Sequence, residues 1–407
     1  MIQTKALAIL KGIGNVFLTG QPGSGKSYLT NQYIDWLLDN GKTFAVTAST
    51  GIAALNVGGR TLHSFAGLRN DDPLTEENVR DILGSSHTYK RYSSTEVLII
   101  DEISMVSAQL LENIDQLARI ARRSDKPFGG MRIVAVGDFY QLQPIKGEYC
   151  FTGESWKSAE FAFCNITEQH RTNDDAFIGI LTGIREGNLT DEQKRTILSR
   201  VNDDVSSLEG VVRLDTHNKR VDEINDQKLA RLEGVPKTYR MEEEGNDMYF
   251  KGLKKSCLSP EMLVLKVGAR VIFTRNDPEQ RWVNGTQGEV TELREGSVRV
   301  NIFSNGEEVN VEYAAWEHCI GYGKGRNVLA TVKQVPLRLA WAITIHKSQG
   351  MTLDKAVIDV SRVFATGQAY VAISRVRSLE GLFLQGKLTS KFLEIDESVK
   401  EFYVANT

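Results

Sequence analysis

Hydrophobic residues in the first third of this chain gather into short, nearly unbroken runs that end in polar chemistry. Val16–Leu18 lead into TGQPGSGKS, the run VLII of EVLIIDEIS (96–104) leads into Asp101 and Glu102, and IVAV of MRIVAVGDFYQLQP (131–144) leads into Asp138 and Gln141. Continuous hydrophobicity over so few residues suits a parallel strand covered on both faces. TFAVTA (43–48) is a fourth such strand, and it ends at Ser49, Thr50 and Gly51. Leu29, Tyr33, Trp36 and Leu37 share one helical face, and Gly41 follows where a left-handed cap is expected. The second half repeats the alternation: VVRLDTHN (211–218) and KAVIDVS (355–361) read as strands, and 218–232 and 366–377 as helices.

Strands alternating with helices predict an α/β fold with parallel sheets in two lobes. Between 240 and 335 the pattern changes. ARVIFTR, QGEVTEL, SVRVNIF and EEVNVEY are separated by turns that include Asn284-Gly285 and Asn305-Gly306, which predicts a small antiparallel β-barrel inserted in the second lobe. The polar stretch 67–95 is a further insertion that a minimal sheet does not need. The expected organisation is therefore 1–66 with 96–185 as the first lobe, 67–95 as its insertion, 186–239 with 336–407 as the second lobe, and 240–335 as the barrel.

Length and composition narrow the class. A chain of 407 residues with 41% hydrophobic and 25% charged residues is an ordinary soluble globular protein of two or three domains, placed in the cytoplasm, with no apolar run able to span a bilayer. Cys150, Cys164, Cys257 and Cys319 form no CxxC pair and lie far from the histidines, so they read as plain thiols. A net charge of −3 excludes coating of nucleic acid by bulk electrostatics. Any such binding must be local, and two stretches allow it. Asn40 to Asn70 contains no acidic residue, and neither does His318 to Leu353, where Lys324, Arg326, Lys333, Arg338 and Lys347 accumulate.

Gly20 to Ser27 match GxxxxGK[ST] between a strand and a helix, the context that gives the pattern meaning. Gly20, Gly23, Ser24 and Gly25 would let backbone N–H groups close around phosphates, Lys26 would neutralise the β/γ oxygens, and Ser27 would ligate Mg²⁺. The bland alternative is a chance glycine turn. Two further strand ends argue against it: Asp101 is placed to hold Mg²⁺, Glu102 to orient and deprotonate the attacking water, and Gln141 to sense a γ-phosphate. The second lobe lacks a second such loop and would instead supply cations. Arg171 in ITEQHRT and Arg375 in YVAISRVRS are the candidates.

GQPGSGKS, TASTGIAALNVGG, TLHSFAGL, DEISM, GDFYQLQP, AWAITIHKSQGMTLD and YVAISRVRSLEGL together resemble the motif series of the petite integration frequency (Pif) family of superfamily-one DNA helicases, in unbroken order from Gln3 to about Leu384. The resemblance implies two RecA-like lobes and ATP-driven movement along single-stranded DNA with 5′-to-3′ polarity. It also implies unwinding of duplex, G-quadruplex or DNA–RNA hybrid junctions by a monomer, with the 67–95 insertion as the wedge. By position, Gln3 resembles the glutamine that reads adenine, Arg171 and Arg375 the two arginine fingers, and Gly350 a nucleotide contact. The chain departs from the pattern at Thr172, after Arg171, and at Gln143, where proline is common.

Two segments carry the expected hold on DNA. Ser49, Thr50, Gly51, His63 and Ser64 offer neutral donors to phosphate oxygens, and Phe65 is either a ring on which a base stacks or a core aromatic. Thr344, His346, Lys347 and Ser348 repeat that chemistry in the second lobe. Two other functions remain open on the residues alone: an ATP switch that clamps nucleic acid without moving, and a phosphotransferase acting on a small acceptor. The paired segments disfavour the latter, which needs an acceptor pocket and not two matched grips.

Overall fold

The computed structural model describes residues 1–169, 174–202, 211–320, 326–362, 366–387 and 394–406. It separates into two units, Met1–Asn173 with Ile395–Thr407, and Asp174–Glu394.

The first unit is built on strands β1 (Val16–Gly20), β2 (Phe44–Ala48), β3 (Arg60–Thr61), β4 (Val97–Asp101), β5 (Arg132–Val136) and β6 (Ala162–Ile166), in the order β3-β2-β4-β5-β1-β6 with every pair parallel. All four apolar runs noted above form strands of this sheet, and β1 is buried along its whole length. Parallel pairing puts the carboxyl ends of β1, β2, β4 and β5 on one edge, so the polar residues that close each run collect there. Helix α1 (Gln3–Leu10) precedes β1, and α2 (Lys26–Asp39) follows it with Leu29, Tyr33 and Leu37 buried. Trp36 is only half-buried and stacks on Tyr33 with ring centroids 5.9 Å apart.

After β2 come α3 (Gly51–Asn56) and, beyond β3, α4 (Leu62–Ala66). The 67–95 insertion is helical, with α5 (Glu76–Gly84) started by a Thr75/Asn78 capping box, and α6 (Ser86–Ser94). It is anchored to the unit rather than loose. Tyr92 of α6 is fully buried against Phe65 of α4, ring centroids 5.4 Å apart. Arg122, at the end of α7 (Ala108–Arg122), donates to the carbonyls of Tyr92, Ser93 and Thr95 at 3.0, 3.2 and 3.0 Å.

Two expected boundaries are corrected. The C-terminal helix, Glu397–Asn406, belongs to the first unit and not to the second, because Phe402 stacks on Phe151 (4.5 Å) and Tyr403 on Tyr140 (4.6 Å) in an aromatic cluster that includes Phe17, Phe139 and Trp156. Helix Asp175–Glu186 belongs to the second unit, so the first does not extend to 185.

The second unit holds a four-stranded parallel sheet in the order Ala342–Thr344, Val212–Asp215, Ala356–Asp359, Leu382–Gln385. Helix Asn218–Arg231 follows the second of these strands, as the pattern predicts, whereas the 366–377 helix is shorter, spanning Gln368–Ile373. The expected antiparallel insertion comprises three sheets among the described residues, with strands from Lys237 to Leu339, slightly beyond 240–335. Tyr239, Leu265, Phe273, Trp282, Val300 and Leu337 share a hydrophobic core within it. At Asn305-Gly306, Gly306 takes φ 72° and closes the hairpin between Ser297–Ile302 and Glu308–Glu312.

Candidate nucleotide and nucleic-acid site

The nucleotide cradle is set by the turn from β1 into α2. Gly25 caps α2 in the left-handed region (φ 87°), and the first helical turn carries neither a side-chain cap nor an acidic residue. Its N–H groups are thus left for an anion. Gly20 has to be glycine: a Cβ there would lie 2.6 Å from the Ile166 carbonyl oxygen and 2.8 Å from Ser24 Oγ. Lys26 Nζ donates to the carbonyls of Gly20 (2.6 Å) and Gln21 (3.0 Å) across the loop. Gln3 Nε2 donates to the Ser24 carbonyl at 3.1 Å, which places the expected adenine reader beside the loop. Ser27 is exposed and Gly23 half-exposed.

The cradle fits a nucleoside triphosphate and its divalent cation on two observations. Ser24 Oγ is buried with no hydrogen-bond partner, a donor awaiting an acceptor. The Asp101 carboxyl is pushed up to about 7 by its withdrawal from water and by the Glu102 charge, against the Glu102 N–H and the Lys26 ammonium. A cation relieves that repulsion. Glu102 itself sits at φ 51°, in the left-handed region that non-glycine residues rarely adopt, and its N–H donates to Asp101 Oδ1 at 2.9 Å. Such strain concentrates at functional positions. Gln141 is buried, its N–H donating to the Asp138 carbonyl at 2.9 Å.

The expected DNA segment shares this edge. Parallel pairing of Thr47 with Arg60 and Ala48 with Thr61 sends the chain out at Ser49 and returns it alongside, so Ser49–Gly51 and His63–Ser64 both emerge from adjacent carboxyl ends. The Ser49 N–H donates to the Asp101 carbonyl at 3.2 Å, which joins the segment directly to the acid pair. Ser49 Oγ is a further buried hydroxyl without a partner, whereas the Thr50 hydroxyl accepts from the Ala53 N–H as the cap of α3. His63 Nε2 meets Asp71 Oδ1 at 2.6 Å, and the Ser107 hydroxyl donates to Asp71 Oδ2 at 2.7 Å. Nothing in the sequence signalled Asp71 as the residue that orients His63.

Phe65 corrects one expectation. It is 1% exposed and packed on Tyr92, so its ring is a core aromatic, not a surface for base stacking. In the second unit, Thr344 and Ser348 are also buried. Ser348 donates to the Ile345 carbonyl at 2.7 Å, and Thr344 Oγ1 accepts from the Lys347 N–H at 3.3 Å, so their side chains shape the turn instead of facing outward. His346 and Gly350 are exposed, the latter at φ 77°. Burial and the Arg338 guanidinium push the Lys347 ammonium down. Arg375 is 3% exposed and donates to the Val371 carbonyl and the Ser374 hydroxyl, both at 2.9 Å. Arg171 lies outside the described residues.

Comparison with known proteins decides the family. The model of PIF1-like helicases matches residues 4–195, and that of the DNA helicase Pif1 2B domain matches 249–293, inside the antiparallel insertion. The ATP-dependent DNA helicase Pif1 of Bdellovibrio bacteriovorus is 37% identical over 405 residues, covering 98% of this chain and 90% of that protein. The chain belongs to the Pif1 family of DNA helicases. Bacteroides sp. Pif1 in complex with ADP-AlF4 has the same fold, with a TM-score of 0.88 at 32% identity over 99% of this chain and 96% of that one. The same helicase with ADP-AlF3 and ssDNA gives 0.67 at 32% identity, again over 99% and 96%. This Pif1-family chain is accordingly an ATP-dependent DNA helicase, and so an ATP hydrolase with two RecA-like lobes. No helix among its described residues is long and apolar enough to cross a membrane, and no cluster of three or more His, Cys, Asp or Glu among them would hold a metal.

Proposed function

We propose that this helicase moves 5′ to 3′ along single-stranded DNA as a monomer and unwinds duplex ahead of it, with G-quadruplexes and DNA–RNA hybrids as further substrates. The observation that carries the reading is the Ser49 N–H on the Asp101 carbonyl: the segment proposed to hold the strand and the acid pair are one hydrogen bond apart. Polarity and the structured substrates rest on the motif resemblance, and Bacteroides Pif1 with ssDNA bound supports the polymer.

In this reading the loop N–H groups and Lys26 hold the phosphates, and Gln3 reads the base. Glu102 orients a water and accepts its proton, while Gln141 senses the γ-phosphate. Arg375 and Arg171 stabilise charge developing on the transferred phosphoryl group. Ser27 and Asp101 would hold Mg²⁺, which supplies charge neutralisation at the phosphates. Backbone and hydroxyl donors at Ser49–Gly51 and His63–Ser64 in one unit, and His346–Lys347 in the other, hold the DNA backbone without reading its sequence. Cycles of ATP binding and hydrolysis tighten and release these two holds in turn. The 67–95 helices act as the wedge.

The test is ATP turnover with and without oligo-dT. Strong stimulation by single strands supports coupling of the two sites; turnover that is indifferent to oligo-dT removes it.

A further inference from the structure

The C-terminal helix, Glu397–Asn406, sends one side chain to the end of β1 and the turn after β5. Tyr403 is 6% exposed, and its hydroxyl lies 2.7 Å from Thr19 Oγ1, donates to Asp138 Oδ1 at 3.2 Å and accepts from the Phe139 N–H at 3.3 Å. Thr19 is the residue before Gly20, where the phosphate loop begins, and Asp138 opens the turn that carries Gln141. Asp138 Oδ1 also accepts from the Tyr140 N–H at 3.3 Å, and the Asp138 carbonyl from the Gln141 N–H at 2.9 Å. One phenol therefore ties the end of β1 to the turn after β5. The Tyr403 ring stacks on Tyr140 at 4.6 Å, next to Gln141 in the chain, and Phe402 seals the other side against Phe151.

We propose that Tyr403 is a positioning residue for ATP hydrolysis: its hydroxyl fixes the Asp138–Gln141 turn relative to the phosphate loop, so that the Gln141 amide is aligned with the γ-phosphate. The inference rests on the assignment of hydrolysis to this edge and deepens it. A buried carboxylate needs its donors, and Tyr403 supplies one that packing alone cannot replace. The ring and the hydroxyl are separable. The ring holds the helix in the aromatic cluster, and the hydroxyl holds the turn.

The experiment compares Tyr403→Phe, Thr19→Val and Phe402→Leu with the full-length wild type, measuring oligo-dT-stimulated ATP turnover, KM for ATP and the thermal midpoint. Tyr403→Phe keeps the stacked ring, and kcat should fall by about tenfold or more while KM changes by less than about threefold. Thr19→Val should lower kcat in the same sense. Phe402→Leu should lower the midpoint and leave kcat within about twofold. A Tyr403→Phe protein with wild-type kcat overturns the proposal, whatever its midpoint, and so does a Phe402→Leu protein that loses kcat as strongly. A wild type without DNA-stimulated turnover would instead refute the underlying functional reading, so the two failures are distinguishable.

Discussion

Phe65 separates a structural account of the 49–65 stretch from a direct ligand role, and substituting it gives the two accounts opposite signatures. The ring is 1% exposed, and its neighbour Tyr92 is fully buried at a tilted 58°. Truncating a buried phenylalanine to alanine costs about 3–5 kcal/mol in lost transfer energy and cavity formation. In a unit of roughly 150–250 residues each kcal/mol moves the midpoint by about 2–4 °C. Phe65→Ala should then lower the first unit's melting transition by about 6–20 °C, and Phe65→Leu by less. Because Phe65 and Tyr92 join α4 to the 67–95 helices, limited proteolysis should also find that insertion first. Well below the midpoint, fluorescence anisotropy with oligo-dT should show affinity within about threefold of wild type, since no stacking surface has been removed. A base-stacking ring would behave the other way, with an unshifted midpoint and about 1–3 kcal/mol of lost affinity, roughly 5- to 150-fold. That second pattern would refute the core assignment.

Glu102→Gln should retain ATP and DNA binding and lose turnover by about 10²–10⁴-fold, measured under single-turnover conditions; near-normal turnover would remove Glu102 from catalysis. Arg375→Ala should lower kcat more than it raises KM for ATP, and equal effects on both would mark a structural role for this buried side chain. Binding of oligo-dT should weaken only modestly with salt, with a log–log slope of about −2 to −4. Three of the basic residues in the acid-free 318–353 stretch are already engaged: Arg326 with Glu317, Lys333 with Glu244 at 3.1 Å, and Arg338 on the Leu258 carbonyl at 3.2 Å. A slope near −8 would contradict a hold built on neutral donors.

Much of this was legible because the signals were local. The loop from Gly20 to Ser27 and the acids closing β4 are read from strand pattern and spacing, and parallel pairing then brings them together by necessity. The rest depends on contacts distant in sequence. Tyr403 meets Thr19 across 384 positions, and a terminal Phe-Tyr pair looks like any amphipathic helix end. This is why 395–407 was expected in the second lobe. The strand Phe44–Ala48 ends just before Ser49, as its apolar pattern predicts, but composition cannot tell an outward hydroxyl from a capping one. Thr50, Thr344 and Ser348 spend their hydroxyls on their own turns. Phe65 was equally ambiguous, because an aromatic beside polar residues stacks on a base or on Tyr92 with the same sequence.

The central claim is that ATP turnover at the end of β1 and β4 moves DNA past the holds that begin at Ser49 and His346. Strand separation of otherwise identical 5′-tailed and 3′-tailed duplexes by the full-length protein tests it most directly. Unwinding of the 5′-tailed substrate, dependent on hydrolysable ATP and abolished by Glu102→Gln, is the predicted result. Unwinding of neither substrate, despite ATP turnover stimulated by single strands, would contradict it and leave a nucleotide-driven clamp in place of a motor.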